Sequence, residues 1–373
     1  MIRLYDPGLA QACREFLGNS PDANYCHDPA WAEVIREAYG KEAFSLVRMD
    51  PVTGAVRGIA PACSLASAAF GRQVVCLPYL DYGGILADDS DSEDLLRDRL
   101  LNEARTRRSE LEIRSRHALH GLQAPRDEKV CMILPLREEA AEATEDWTPV
   151  AADTYSDGPW IAAENICEDS DSYWKSLDAK VRNQVRKAEK SGVTVRWGRE
   201  DRLDDFYEVF CVNMRDLGSP THAKAWFEAV LRHFPGADIG TAHRDGKCIG
   251  GLFRILWQDE LVIPWASTLK DERMHCPNNA LYWDAIRYAF AQGCRLVDFG
   301  RSTRDEGTYR FKKQWQARES SLYRYQFDDK GHLREQSSQV AQGRLGWTRN
   351  VWAKLPLVVA NSLGPMLRGS ISA

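Results

Sequence analysis

The stretch ADIGTAHRDGKCIGGLFRIL, residues 237–256, decides how the second half of this chain is read. Two apolar-containing runs meet at Asp245-Gly246, a dipeptide suited to a tight hairpin because both central residues of such a turn need positive φ. Beyond it, ELVIPWAST (260–268) reads as a third strand, NNALYWDAIRYAFAQG (278–293) as a helix ended by Gly293, and CRLVDFG (294–300) as a further strand. The same letters hold a false lead. His243-Arg244-Asp245 and Asp298-Phe299-Gly300 spell the catalytic loop and metal-binding turn of a protein kinase. A kinase loop needs asparagine five residues after its aspartate, where this chain has Gly250, and neither a G-x-G-x-x-G loop nor a V-A-I-K strand is present. The HRD letters are the end of a hairpin strand.

The same order occurs in the first half. FSLVRMD (44–50) and AVRGIAPACSL (55–65) flank a turn, QVVCLPYL (73–80) follows, DSDSEDLLRDRLLNEARTRR (89–108) has helical apolar spacing, and ELEIRSR (110–116) closes the unit. Acidic residues open that helix and arginines end it, as the helix dipole favours. The offset between the copies is about 190 residues throughout, which a duplicated domain predicts. Helices precede each copy: PAWAEVIREAYG in the first, and YWKSLDAKVRNQVRKAEKSG, DRLDDFYEVFCVNMRDLG and HAKAWFEAVLRHF in the second. The expected fold class is α/β with mixed sheets, built from tandem domains at 1–150 and 151–335 and followed by a basic, apolar tail at 336–373. The acidic stretch 138–159 reads as the connector.

Composition agrees with two globular domains: 373 residues, 44% hydrophobic and 28% charged. A net charge of -5 argues against bulk nucleic acid as the main partner, so no DNA partner is expected, but it leaves room for a local basic site. Ten cysteines are scattered without C-x-x-C pairs or zinc spacing, so they read as buried small hydrophobes and no metal is expected. The N-terminus MIRLYDPGLA lacks the basic and apolar segments of a secretory signal, and the expected location is the cytoplasm.

The element order, with the blocks LPYLDYGG, LDAKVRNQVRKAEKSGVTV, MRDLGSPTH, PWAST, PNNALYW and DFGRSTRDEGTYRFKKQW, resembles the GNAT N-acyltransferase fold in the tandem form of the FemAB family of peptidyl and aminoacyl transferases. The resemblance spans roughly residues 25 to 327 and is greatest to FemAB-like proteins of exopolysaccharide and exosortase loci. It implies transfer of an acyl or aminoacyl group to an amine of a cell-envelope precursor, a peptidoglycan or exopolysaccharide sugar. The implied donor is aminoacyl-tRNA or acyl-CoA, with no firm cofactor. Two other readings stay open: a non-catalytic assembly protein of polysaccharide export that binds glycan or lipid-linked sugar, and an acetyl-CoA enzyme acting on a small amine.

GNAT-type chemistry needs position, a proton acceptor and carbonyl polarisation rather than a nucleophile. The resemblance makes Asp81 in LPYLDYGG the candidate acid or base, with Tyr82 beside it; by the residues alone Asp81 equally suits a turn cap. Lys312 is the candidate charge near the developing oxyanion and Arg301 a fork for acceptor oxygens. Tyr309, Lys313 and Trp315 complete that group. Arg182 and Arg186 share a helix face with Asn183 nearby, either a solvated surface or part of the substrate groove that the resemblance implies. The blocks PWAST and PNNALYW add Trp265, Ser267, Asn279 and Tyr282 as substrate-binding candidates.

Three departures from the family pattern stand out. The connection STLKDERMHCPNN lacks the glycines of an acyl-CoA pyrophosphate loop, no heptads suggest a coiled-coil arm, and Gln316 replaces a glycine after the FKxxW group. The segment 342–373 carries Arg344, Arg349, Lys354 and Arg368 and no acidic residue. Pro356 and Pro365 are expected to break any long helix there. Trp347, Trp352 and the leucines suit either an anchor on an anionic membrane surface, at the inner face of the cytoplasmic membrane, or a helix packed on the protein's own core.

Overall fold

The computed structural model describes residues 1–67, 71–123, 126–137, 167, 169–334 and 349–372. The expected connector at 138–159 lies outside the described residues, as does the part of the tail that holds Arg344 and Trp347. The strands are β1 (Ile2–Leu4), β2 (Glu42–Met49), β3 (Val56–Ser67), β4 (Gly71–Val75), β5 (Leu86–Ala87), β6 (Glu110–Ser115), β7 (Arg126–Pro135), β8 (Thr194–Gly198), β9 (Ala237–Arg244), β10 (Lys247–Trp257), β11 (Glu260–Thr268), β12 (Leu296–Thr303) and β13 (Arg318–Phe327). The helices are α1 (Ala10–Asn19), α2 (Ala30–Tyr39), α3 (Ser90–Thr106), α4 (Ser170–Ser176), α5 (Ala179–Lys190), α6 (Glu200–Asp216), α7 (Lys224–His233), α8 (Pro277–Ala291), α9 (Gly307–Lys313) and α10 (Leu357–Arg368).

These elements form two compact units, Met1–Asp127 with Phe210–Pro235 and Leu322–Ala373, and Glu128–Val209 with Gly236–Ser321. The first unit's strand order is β1-β2-β3-β4-β6-β13, and the second's is β7-β12-β11-β10-β9-β8. In the first, β2, β3 and β4 are antiparallel, α3 crosses over, and β6 returns parallel to β4. In the second, β9, β10 and β11 are antiparallel, α8 crosses over, and β12 returns parallel to β11. The duplicated pattern is therefore present in the pairing itself. Asp245 (φ 51°) and Gly246 (φ 78°) make the turn between β9 and β10 in the left-handed conformations that the dipeptide suggests.

The crossover helices follow from their residues. Asp89 caps α3 by accepting from the Ser92 amide at 2.6 Å, Asp91 and Glu93 occupy its first turn, and Leu96, Leu100 and Ala104 are buried. α8 turns Leu281, Tyr282, Ala285, Ile286 and Ala289 into the second core, together with Val181, Val185 and Ala188 of α5.

The compact units do not follow chain order, in contrast to the expected boundaries near 150 and 335. β7 comes after β6 in sequence but pairs antiparallel with β12 in the second unit, and β13 comes after β12 but pairs antiparallel with β6 in the first. Neither strand belongs to the repeated pattern from which the boundaries were read. α7 likewise sits in the first unit because its aromatic face packs on α2: the Trp226 and Trp31 rings stack at 5.7 Å and both are fully buried.

Two histidines are buried in the first unit. His27 accepts from the Asn24 amide at Nδ1, and burial, with His117 and Arg116 nearby, pushes its pKa down to about 3. His222 shares a 2.7 Å hydrogen bond with the Tyr39 hydroxyl and accepts from Arg368 Nε at 3.1 Å; burial first and Arg368 second hold its pKa well below the usual range.

Trp226→Ala is expected to destabilise the protein by about 3–5 kcal/mol in urea unfolding, the cost of an unfilled aromatic site in a packed core. The buried histidines set an acid-side dependence. Both are neutral when folded and gain protons when unfolded, so their contribution is complete above the unfolded value of 6.5 and is lost as pH falls below it, for His27 down to about 3. From pH 7 to pH 5 His27 is expected to cost about 2 kcal/mol of unfolding free energy, and His222 acts in the same direction. His27→Asn keeps an acceptor for the Asn24 amide and should remove its share of that slope.

Candidate active site

β11 and β12 pair as parallel neighbours over only three positions, Glu260↔Leu296, Leu261↔Val297 and Val262↔Asp298. β11 then continues to Thr268 beside β10, while β12 continues to Thr303 beside β7, so the two strands part and open a wedge. The β12–β7 register shifts between Asp298 and Arg301, and Gly300 has φ 74°. Gly300 is thus at a bulge inside the strand, which runs on to Thr303.

Parting the strands leaves buried backbone groups without ladder partners, and side chains take their place. Buried Asp298 accepts from the Gly300 amide at 2.7 Å. Lys312, on α9 and only 8% exposed, donates from Nζ to the Gly300 and Arg301 carbonyls at 3.0 Å each. Arg301 is half-buried on β12 just past the parting point.

An aromatic group backs this end of β12. Tyr282 packs on Phe299 at 5.5 Å and edge-on to Phe311 at 4.9 Å, and Phe311 meets the buried Trp315 at 6.4 Å. The Trp315 carbonyl accepts from the Tyr173 hydroxyl at 2.6 Å. Gln316 holds φ 63°, the conformation a glycine would supply, and its side-chain Nε2 donates to the Ser176 carbonyl at 3.0 Å. The turn therefore survives the substitution. Tyr309 donates to Glu319, and burial and that carboxylate raise its pKa, so the phenol stays protonated. Exposed Lys313 lies 5.6 Å from the Tyr309 ring centre. On β11, half-buried Trp265 packs edge-on to Phe253 at 5.2 Å, and buried Ser267 pairs with Gly251.

The start of α8 meets α5. Asn279 donates to Gln184 at 3.2 Å, and Asn278 pairs with Thr268 at the end of β11. The expected glycine-free connection is a 3-10 turn, Lys270–His275, followed by Cys276 at φ 57°. Pro277 has no amide hydrogen, and the Asn279 amide bonds the Cys276 carbonyl at 3.0 Å. On α5, Asn183, Arg186, Lys180, Lys187 and Lys190 are exposed and Arg182 is half-buried. Arg186 lies over the Trp174 ring at 5.6 Å, and Arg182 reaches the Lys175 carbonyl.

Asp81 and Tyr82 belong to the first unit, so the two candidate catalytic residues, Asp81 and Lys312, fall in different units. There too the parallel pair is brief: β4 and β6 pair only at Gln73↔Glu110, Val74↔Leu111 and Val75↔Glu112. The gap beyond is filled by the chain itself. The Cys76 amide bonds the Glu112 carbonyl at 2.9 Å, the Gly83 amide bonds the Arg114 carbonyl at 3.0 Å, and a Cβ on Gly83 would lie 2.7 Å from the Cys76 oxygen. Arg114 donates to the carbonyls of Leu80, Leu77 and Ser372. Half-buried Asp81 rides on this plug, and buried Tyr82 packs edge-on to Tyr25 at 5.9 Å. Sequence reasoning passed over Glu112, Arg114, Gln184 and Phe299; the signal was there for Glu112, since it aligns with Asp298 in the repeat.

A separate cleft of about 470 Å³ in the second unit is lined by Trp197, Arg254, Asp284 and Tyr288. Arg254 is held there by Asp238 through bonds of 2.6 and 2.8 Å and lies between the Trp197 and Tyr288 rings, so its charge is already matched.

Residues 175–313 match the model of the GNAT acetyltransferase domain. No curated protein matches the sequence. Among solved structures, FemX aligns at TM-score 0.60 and 14% identity, over 87% of this chain and 96% of that one. L-PGS from Bacillus licheniformis aligns at TM-score 0.53 and 13% identity, over 99% and 98%. The C-terminal domain of a putative lysylphosphatidylglycerol synthetase from Agrobacterium fabrum aligns at TM-score 0.51 and 12% identity, over 84% and 90%. At such identities these likenesses speak for the fold. Residues 175–313 thus carry a GNAT acetyltransferase domain, lying mostly in the second unit, and with the same strand order repeated in the first unit the chain has the tandem GNAT fold that FemX shares.

Proposed function

We propose that the chain transfers an aminoacyl or acyl group to an amine of a cell-envelope precursor, a peptidoglycan or exopolysaccharide sugar. The observation that supports this reading is the parting of β11 and β12 within the span that matches the GNAT domain, with Lys312 bonded to the carbonyls of Gly300 and Arg301 just past the last pair. An amine attacking a carbonyl held there needs no covalent enzyme intermediate. The Lys312 charge, fixed by two carbonyls, favours the oxyanion that develops, and Arg301 grips acceptor oxygens as a fork.

Aminoacyl-tRNA is the favoured donor over acyl-CoA. A pyrophosphate cradle uses free backbone amides at a helix start, whereas the start of α8 has a proline and an amide already bonded to Cys276. The exposed cations of α5, next to that helix start, suit a larger anion held by side chains. These features disfavour the acetyl-CoA reading. The glycan-binding reading draws on one observation, that Lys312 already spends two bonds on carbonyls.

Purified protein incubated with aminoacyl-tRNA or acetyl-CoA and amino-sugar precursors is expected to add an aminoacyl mass to the acceptor. Failure of transfer with every donor, alongside acceptor binding by native mass spectrometry, would leave the glycan-binding reading instead. Lys312→Ala is expected to lower turnover roughly a hundredfold or more with unchanged circular dichroism, the loss typical of a positioned charge. Arg301→Lys should chiefly raise the acceptor KM, because the second hydrogen bond of the fork is lost. Near wild-type kinetics in both variants would remove this strand end from the active site.

A further inference from the structure

We propose that α10 docks the protein onto an anionic phospholipid surface through an apolar face that the fold leaves uncovered. The helix is fixed to the first unit by its other side. Ala360 and Gly364 are buried, and a Cβ on Gly364 would lie 2.9 Å from Thr221 Cγ2. Arg368 donates to His222, the Gly369 carbonyl accepts from the Tyr79 hydroxyl at 3.0 Å, and the Ser372 carbonyl accepts from Arg114 at 2.8 Å. Pro356 caps the helix and Pro365 lies within it, so the expected break at Pro365 does not occur.

The outward positions repeat at four-residue spacing: Val358, Ser362 and Met366 in one row, Val359, Leu363 and Leu367 in the next. Five of these six are aliphatic, with exposures of 78% (Val358), 73% (Met366), 43% (Leu363), 40% (Val359) and 38% (Leu367). A helix held against a protein core normally points polar residues outward. Here the pattern is inverted.

Charge selects the occupant. Arg349 and Lys354, just before the helix, are exposed and form no ion pair among the described residues, and no acidic residue follows Glu335 in the chain. An apolar face with cations at its edge matches the boundary between anionic headgroups and acyl chains. A second copy is a poorer match, because the face offers on the order of a few hundred Å², short of the roughly 800 Å² per partner in a stable dimer. No helix among the described residues is long and apolar enough to cross a membrane, so the contact lies in the plane of the surface. Binding of this kind is reversible and falls with salt. This inference does not rest on which acceptor or donor the protein uses.

Flotation of the full-length protein with vesicles tests it. Wild type is expected to float with vesicles of one part phosphatidylglycerol to two parts phosphatidylcholine at low salt, and to be released from them at about 0.5 M salt. It should ignore pure phosphatidylcholine. Val358→Asp combined with Met366→Asp, at the two most exposed positions, should reduce binding at least tenfold with an unchanged melting curve. If that pair perturbs folding, Val358→Ser with Met366→Ser serves the same comparison. The proposal is overturned if wild type does not float with anionic vesicles, or if the folded variant floats equally well. It is also overturned if wild type is a dimer that the variant converts to monomer, which would make a second copy the occupant.

Discussion

Everything distinctive in this fold depends on what happens when two buried parallel strands stop pairing. A strand that leaves its neighbour exposes amide and carbonyl groups that water cannot reach, and each uncompensated group costs on the order of 1–3 kcal/mol. At the last paired position of each unit the chain places a buried acid, Asp298 opposite Val262 and Glu112 opposite Val75. In the second unit Asp298 takes the Gly300 amide and Lys312 takes the Gly300 and Arg301 carbonyls. The strands can therefore stay apart without leaving orphaned groups in those positions, and α9 is tied to β12 by the same contacts.

The two copies solve the same problem with opposite results. In the first unit Glu112 lies between Arg114 (3.1 Å) and Arg324 (2.6 Å) and accepts from Gln326. Burial alone would raise its pKa, but the two guanidinium groups outweigh that and hold it below the usual carboxylate range. Arg114 then spends its donors on the Leu77, Leu80 and Ser372 carbonyls, so the gap is filled with the protein's own backbone. Leu77 (φ 55°) and Tyr79 (φ 76°) adopt left-handed conformations that cost bulky residues energy, which the packing of this plug offsets. The first unit thus fills the space beyond its last parallel pair with its own backbone, whereas in the second unit β11 and β12 go on beside different neighbours, and the GNAT domain match covers that second pair.

The repeated core was legible because it is local: hairpin turns, crossover helices and their caps are written within short windows, as Asp245-Gly246 and Asp89 show. β7 and β13 were not, since each pairs with a strand from the other half of the chain and nothing nearby in sequence marks the exchange. For the candidate site, what was legible is that several of its residues lie together. Tyr282, Tyr309, Lys312 and Trp315 gather near the end of β12, and Asn279 stands beside α5. What pattern could not reveal was the partner of each group. Lys312 reads as a free charge until two carbonyls are found on it, and Gln316 reads as a lost turn until its left-handed φ is measured.

The letters DFG and the missing glycines belong to one argument about how an anion is recognised. A phosphate loop works through backbone amides, which needs glycine to bring the chain close and a helix start with free donors. Here the glycine freedom is used elsewhere, at the Gly300 bulge against β7 just past the last β11–β12 pair, and the start of α8 is occupied by Pro277 and by side-chain bonds from Asn278 and Asn279. Cations on α5 and at the end of β12 remain as the means of holding negative charge. Side chains spread along a helix face can follow an extended anion, whereas a backbone cradle fits one compact phosphate pair. On the proposed function, that difference favours a donor or acceptor larger than coenzyme A and puts selectivity in α5, where charge reversal would change substrate choice without disturbing the parting of β11 and β12, to which the proposal assigns the chemistry.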